Sequence, residues 1–87
     1  MSEQIFIGSD ISFHLLRDYI FDHKINKGDT IVLHPLNYEH ILEEIRHSEA
    51  GIEIPVNIFG ILIVKDGTGS VDIGKITIIK NENLNNS

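Results

Sequence analysis

The sequence predicts a single small α/β or α+β domain in which two helices cover one face of a mixed β-sheet. Two amphipathic segments, residues 11–23 and 38–47, each carry one apolar stripe at helical spacing. Short runs rich in β-branched residues alternate with them, which gives the order β-α-β-α-β-β. Strands joined through helices favour right-handed parallel crossovers, and a closing hairpin adds an antiparallel pair. We expect this domain to span residues 1–80.

The first strand and the first helix are predicted from an apolar run and a polar loop. Residues 3–7 contain an Ile-Phe-Ile run, and Gly8 ends it. Ser9 or Asp10 is the predicted N-cap of helix 11–23, because a short polar side chain accepts hydrogen bonds from the first-turn N–H groups.

The second strand and helix follow a polar turn at residues 26–29. Residues 31–33 are continuously apolar, and Thr30, Ile31 and Val32 are β-branched, as expected of a strand that is covered on both faces. Pro35 is predicted to end this strand, and Asn37 to cap helix 38–47.

The C-terminal third is predicted to hold an edge segment and a closing hairpin. A proline in residues 52–56 makes that stretch an edge strand or a loop. Residues 57–65 are apolar enough for a central strand, and the Asp-Gly-Thr-Gly sequence at 66–69 predicts a hairpin turn. The returning strand, residues 71–80, changes the phase of its alternation at Gly74, which indicates a β-bulge.

The apolar stripes and strand positions together predict the core, and the polar, Asn-rich residues 81–87 are expected to form a disordered tail. The predicted core residues are Ile5, Ile7, Leu16, Ile20, Ile31, Leu33, Ile41, Ile45, Ile61 and Ile63.

Composition excludes several classes of function. The net charge is −6 with only seven basic residues, which argues against binding to nucleic acid, since that affinity comes from clustered Lys and Arg. The chain has no cysteine, so disulfides and thiolate chemistry are excluded and a reducing cytoplasm is the expected location. No export signal or membrane-spanning run is recognised in the sequence, and no membrane partner is expected.

The second helix carries a candidate metal site. His40, Glu44 and His47 are spaced one turn apart, and imidazole and carboxylate groups on one helix face are typical ligands of divalent metals. The sequence lacks the His-Glu-x-x-His motif and supplies no clear further ligand. The alternatives are an ordinary solvated helix face, which we favour, and a subunit contact.

Two further groupings of residues predict no catalytic or cofactor-binding residue. His34 follows one strand and Asp10 follows another, so an acid–base pair is conceivable at that edge of the sheet. Residues 67–70, Gly-Thr-Gly-Ser, resemble a phosphate loop only in glycine content, because neither a Gly-Lys-Ser/Thr ending nor a following helix is present.

One stretch resembles a known family. A helix, then Gly-Asp-Thr-Ile-Val-Leu-His-Pro at 28–35, a short helix, and Phe-Gly-Ile-Leu-Ile-Val at 59–64 are similar to the axial domain of tailed-bacteriophage major capsid proteins. The resemblance covers about residues 11–64. It implies a phage-derived assembly or decoration role without catalytic residues.

The leading functional prediction is a non-enzymatic protein-interaction or assembly module that self-associates. Residues 52–64 contain one charged residue, Glu53, and an apolar segment that cannot all be central leaves surface for another subunit to cover. The alternatives are a metal-binding protein that uses the second helix and an acidic inhibitor of a basic protein. The predicted interface residues, in a homodimer or a larger ring, are Ile52, Ile54, Val56, Ile58 and Phe59.

Overall fold

Five strands and two helices lie along residues 4–23, 25–47 and 56–81, which are the residues that the computed structural model describes. Their bounds are β1 Gln4–Phe6, α1 Phe13–Asp22, β2 Thr30–Leu33, α2 Pro35–His47, β3 Val56–Ile58, β4 Ile61–Lys65 and β5 Lys75–Ile79. Of the predicted edge segment and tail, residues 52–55 and 82–87 lie outside the described residues.

The strands form one mixed sheet in the order β1-β5-β2-β4-β3. β2 and β4 run parallel, and the other neighbouring pairs are antiparallel. The connection from β1 to β2 contains α1, and the connection from β2 to its parallel neighbour β4 contains α2. Both connections move across the sheet in the same direction. Because such crossovers are right-handed, both helices lie on the same face. The helices also meet directly, since the Phe13 N–H donates to Glu44 Oε1 at 2.6 Å. The predicted mixed sheet with two helices on one face is confirmed.

The segment 57–65 was predicted as one strand, but it contains a turn. Phe59 and Gly60 separate β3 from β4, and both have positive φ, 54° and 85°. Two consecutive residues with positive φ match the twist of a tight antiparallel hairpin, which explains why the apolar run folds back on itself.

The predicted closing hairpin between residues 57–65 and 71–80 is wrong, because β2 lies between β4 and β5. β2 is apolar on both faces and takes the central position, where it pairs with a strand on each side. The connecting loop instead passes the end of β2, where the Asp66 N–H donates to the Leu33 carbonyl at 2.8 Å.

Gly74 belongs to a turn rather than to a bulge within the last strand. Its φ is 85°, and a Cβ at this position would come within 2.9 Å of the Gly8 carbonyl oxygen. Only glycine fits this conformation at this close approach. β5 therefore begins at Lys75, and this start accounts for the change of phase in the sequence alternation.

Both predicted helix caps are replaced by neighbouring residues. Ser12, not Ser9 or Asp10, caps α1, and its Oγ accepts the Leu15 N–H at 2.9 Å. α2 begins at Pro35, which needs no N–H partner at a first helical position, and Asn37 lies inside the helix.

The core lies between the helices and the sheet, and most of the predicted core residues are buried in it. Ile5, Ile7 and Ile45 are only partly buried and pack against its margin. Ile5 lies on the edge strand β1, which has one neighbouring strand, and Ile7 directly follows it. The fully buried large side chains are Ile11, Leu16, Ile31, Leu33, Ile41, Ile61, Ile63 and Ile76.

A buried carboxylate holds the end of the described chain against the turn before β2. Asp29 is 2% exposed and accepts the N–H groups of Asn26 and Asn81 and the Lys80 ammonium, the last at 2.7 Å. Burial alone would raise the pKa of Asp29, but these hydrogen bonds outweigh burial and lower it. Asp29 is therefore a structural anchor.

Shortening a core side chain should destabilise the fold measurably. Ile63 is fully buried, so Ile63→Val is expected to lower the free energy of unfolding by about 0.5 to 1.5 kcal/mol. The matched control, Ile73→Val at an exposed position, should stay within about 0.5 kcal/mol of the parent protein. Urea denaturation gives both values, and equal losses in the two variants would contradict this assignment of the core.

Candidate functional site

The sheet has one face toward the helices and a second face that points away from them. Successive side chains of a strand alternate between faces, and paired residues of neighbouring strands share a face. Ile31, Leu33, Ile63 and Ile76 are buried on the helix side, so their strand neighbours project from the other side, here called the open face. The described residues of the open face are Gln4, Phe6, Thr30, Val32, Asn57, Leu62, Val64, Lys75, Thr77 and Ile79.

Half of the described residues of the open face are apolar, and only one is charged. Lys75 is the only one of its ten described residues with an ionisable side chain. Phe6 and Ile79 are 62% and 50% exposed, and Val32 and Leu62 are half-buried. In a strand with one face in water, the residues that point to the water are usually polar, whereas the centre of a protein interface is depleted of charged residues. The open face therefore resembles the centre of an interface in its low charge, while half of its described residues are polar or charged.

The described residues of the predicted interface lie in two different environments. Val56 and Ile58 are each 3% exposed and pack in their own core, because alternation along β3 turns both toward the helices. Their side chains therefore do not form a surface for a partner. Phe59 is exposed, and Ile52 and Ile54 lie outside the described residues.

Phe59 forms a small aromatic patch at the tip of the β3–β4 hairpin. Its ring lies against that of Phe21 on α1, with the centroids 4.9 Å apart, and both side chains are exposed. A positive φ is unfavourable for a bulky side chain such as that of phenylalanine. This contact holds the hairpin tip against the end of the first helix.

The predicted metal ligands on α2 do not converge. His40 Nε2 lies 4.0 Å from Glu44 Oε1 and 3.4 Å from Asp10 Oδ1, but His47 Nε2 is directed to Glu43 Oε1 at 3.5 Å. Among residues 4–23, 25–47 and 56–81, no group of three His, Cys, Asp or Glu side chains is arranged to hold a metal ion. Helical spacing places these residues on one face. However, His40 also contacts Asp10 on another segment, and His47 is paired with Glu43.

The proposed pairing of His34 with Asp10 is replaced by two separate contacts. His34 Nδ1 accepts the Leu36 N–H at 3.0 Å and so acts as a side-chain cap of α2. Asp10 contacts His40 instead, across the space between the β1–α1 loop and α2. His34 therefore has a structural role, and Asp10 is paired with His40 rather than with His34.

The loop after β4 is organised by its own carboxylate rather than by a bound phosphate. Asp66 accepts the N–H groups of Val71 at 2.8 Å and Thr68 at 3.0 Å, and also the Thr68 hydroxyl at 2.7 Å. The Val71 N–H, followed by the Thr68 groups, lowers the pKa of Asp66 from 3.8 to about 2. N–H groups that would be needed by a phosphate are thus already occupied by an internal anion.

Asn37 links three chain segments at the same edge of the sheet. It is buried, its Oδ1 accepts the Gly74 N–H at 2.8 Å, and its Nδ2 donates to the Ser9 carbonyl at 3.5 Å. The sequence predicted a role for Asn37 only as a helix cap. Its burial inside the first turn of α2, where most residues are solvated, depends on loops that are distant in sequence.

The stability contribution of Asp66 should disappear in acid. Its folded-state pKa lies below the ordinary value, so the stabilisation is complete above about pH 4 and is lost as the pH falls toward about 2. The difference in melting temperature between the parent protein and Asp66→Asn should be constant near neutrality and should shrink toward zero at about pH 2. Thermal denaturation followed by circular dichroism measures it, and a difference that persists undiminished at that pH would refute this role.

The exposed histidines of α2 should be dispensable. We expect His40→Ala with His47→Ala to change the free energy of unfolding by less than about 0.5 kcal/mol, because solvated ion pairs contribute little. Calorimetric titration with Zn²⁺ should show no micromolar binding to the parent protein. Binding that disappears in the double variant would instead establish the metal site.

No helix among the described residues is long and apolar enough to cross a membrane. Comparisons with protein families, with curated proteins and with solved structures find no match to this chain.

Proposed function

We propose that this chain is a non-enzymatic assembly module that associates with further copies of itself. The observation that carries the proposal is the open face, a sheet surface with one ionisable side chain in a protein whose residues are 23% charged. Exposed apolar side chains on a surface with little charge are typical of the centre of an association site. We place the protein in the reducing cytoplasm, in keeping with its lack of cysteine.

The strand sequences support the same proposal. β2 reads Thr-Ile-Val-Leu and β4 reads Ile-Leu-Ile-Val-Lys, so both are apolar on the two faces. Such strands usually have cover on both sides, and α1 and α2 supply cover on one side. A second protein surface would complete the arrangement that the strand composition favours.

Several of the described acidic side chains are paired within the chain, which gives less support to an inhibitor of a basic protein. Asp18 contacts His14 and Arg17, Glu43 contacts Arg46, and Asp72 contacts Lys75. Acids that are neutralised within their own chain make a weak surface for a basic partner. An assembly role also fits the resemblance of residues 11–64 to the capsid axial domain, so a phage-derived origin is part of the proposal.

Sedimentation velocity tests self-association directly. Over about 1 to 300 µM the parent protein should pass from monomer to a larger species, since a small interface gives micromolar affinity. Ile79→Glu, which adds a carboxylate to an exposed position on the open face, should weaken association at least about tenfold.

The matched control for this experiment is Leu36→Glu. Leu36 is also exposed and apolar but lies on α2, so this variant should associate like the parent protein. Both variants must retain the parent far-ultraviolet circular dichroism spectrum. A parent protein that stays monomeric throughout the concentration range would refute the proposal.

A further inference from the structure

We infer that Asp66–Gly67 is a site of spontaneous aspartate isomerisation that the fold keeps unreactive, so that isomerisation at this position marks chains that have been unfolded. The site lies in the loop between β4 and β5 and is independent of the proposed self-association. The inference follows from the sequence of this loop, the hydrogen bonds of the Asp66 carboxylate and the open space around Gly67.

Residues 66 and 67 form the only Asp-Gly sequence in the chain. In such a sequence the glycine nitrogen attacks Cγ of the protonated aspartate side chain, because glycine has no side chain to hinder its own amide group. A C–N bond forms, the C–O bond to one carboxyl oxygen breaks, and that oxygen leaves as water with the amide proton. Water then opens the five-membered imide at either carbonyl. The product is aspartate again or isoaspartate, in which the backbone runs through Cγ.

Both carboxyl oxygens of Asp66 are occupied in the folded chain. Oδ1 accepts the Thr68 N–H at 3.0 Å and the Thr68 hydroxyl at 2.7 Å, and Oδ2 accepts the Val71 N–H at 2.8 Å. The reaction requires one oxygen to be protonated and to leave as water, so whichever oxygen leaves gives up its present hydrogen bonds. Loss of the bond to Oδ2 would also leave the N–H of Val71, a buried residue, without this acceptor. The fold therefore opposes the first step.

The same hydrogen bonds keep the Asp66 side chain in its ionised form, which reacts poorly because a carboxylate oxygen cannot leave as water. The Val71 N–H, followed by the Thr68 groups, lowers the pKa of Asp66 from 3.8 to about 2. At neutral pH the protonated fraction is then about 60-fold smaller than that of an aspartate with the ordinary pKa. Unfolding gives these donors to water, so it removes both obstacles together.

Steric shielding of Gly67 does not provide this protection. A Cβ built on Gly67 would meet no atom within 4 Å, and residues 67–70 are exposed. The restraint lies instead at Asp66, whose N–H also donates to the Leu33 carbonyl of β2 at 2.8 Å. Backbone and side chain of Asp66 are thus both fixed by hydrogen bonds that exist only in the folded chain.

Isomerisation would also keep the loop from forming again. Isoaspartate has one additional carbon in the backbone, and its carboxylate is attached directly to Cα, so this group no longer reaches the donors of Thr68 and Val71 from the same position. The Val71 N–H would then lose its present acceptor within the fold. A chain that isomerises while unfolded is therefore expected to refold poorly and to keep the mark.

Incubation in water labelled with heavy oxygen, at neutral pH and physiological temperature, tests the inference. Each passage through the imide inserts one labelled oxygen at Asp66, whether aspartate or isoaspartate is formed. Trypsin releases residues 66–75, and fragmentation in the mass spectrometer separates label at Asp66 from label at Asp72, an internal reference that precedes a bulky isoleucine. The folded parent protein is compared with the parent protein in guanidinium chloride. A peptide of residues 64–71, incubated in both solutions, corrects for direct effects of the denaturant.

We expect Asp66 to take up label at least about tenfold faster in the unfolded than in the folded parent protein. Thr68→Val removes the hydroxyl donor to Oδ1 and keeps the N–H, so the folded variant should react faster than the folded parent protein. The matched control, Thr77→Val on β5, should react like the parent protein. Both variants must retain the parent far-ultraviolet circular dichroism spectrum.

Equal rates in the folded and unfolded parent protein would overturn the inference, and so would an unfolded chain that takes up no label at Asp66. A folded Thr68→Val variant that reacts no faster than the parent protein would overturn the role given to the hydrogen bonds of Asp66. If Thr68→Val does not fold, the comparison of the folded with the unfolded parent protein decides the matter.

Discussion

The structure depends on the central position of β2, which is hydrogen-bonded to β5 on one side and to β4 on the other. A strand that is parallel to its neighbour requires a crossover connection, and α2 lies within that crossover. The segment containing α1 likewise connects β1 to β2, across the position that β5 later fills. Both helices therefore come to one face, and the sheet presents its other face outward.

Three buried polar side chains stabilise the loops that pass the ends of this sheet. Asp66 organises the loop between β4 and β5, and Asn37 connects that loop to the β1–α1 segment. Asp29 holds Lys80 and Asn81 at the opposite end of β2. Each accepts at least one hydrogen bond from a backbone N–H group. Their positions explain why polar residues that resemble a loop motif or a cap have structural roles.

The separation of charge from apolar surface gives the molecule two different sides. The helix side has carboxylates in local ion pairs, such as that of Glu43 with Arg46, which contribute solubility and little stability. The open side has Val32, Leu62 and Ile79, for which water is a poor environment. A small domain of this size has a limited core, so covering the second sheet face would add apolar burial that two helices alone do not provide.

The sequence by itself determined the class of fold, because the single stripes of the two helices and the β-branched runs allow few other arrangements. It also placed Ile31, Leu33 and Ile63 in the core, since these positions are set by local alternation. Tertiary structure decided the strand order. β4 pairs with β2 rather than with β5, so β4 and β5 do not form the closing hairpin. Tertiary structure also decided that His40 meets Asp10, that Val56 faces inward and that the open face exists, since these depend on partners distant in sequence or on which side the helices occupy.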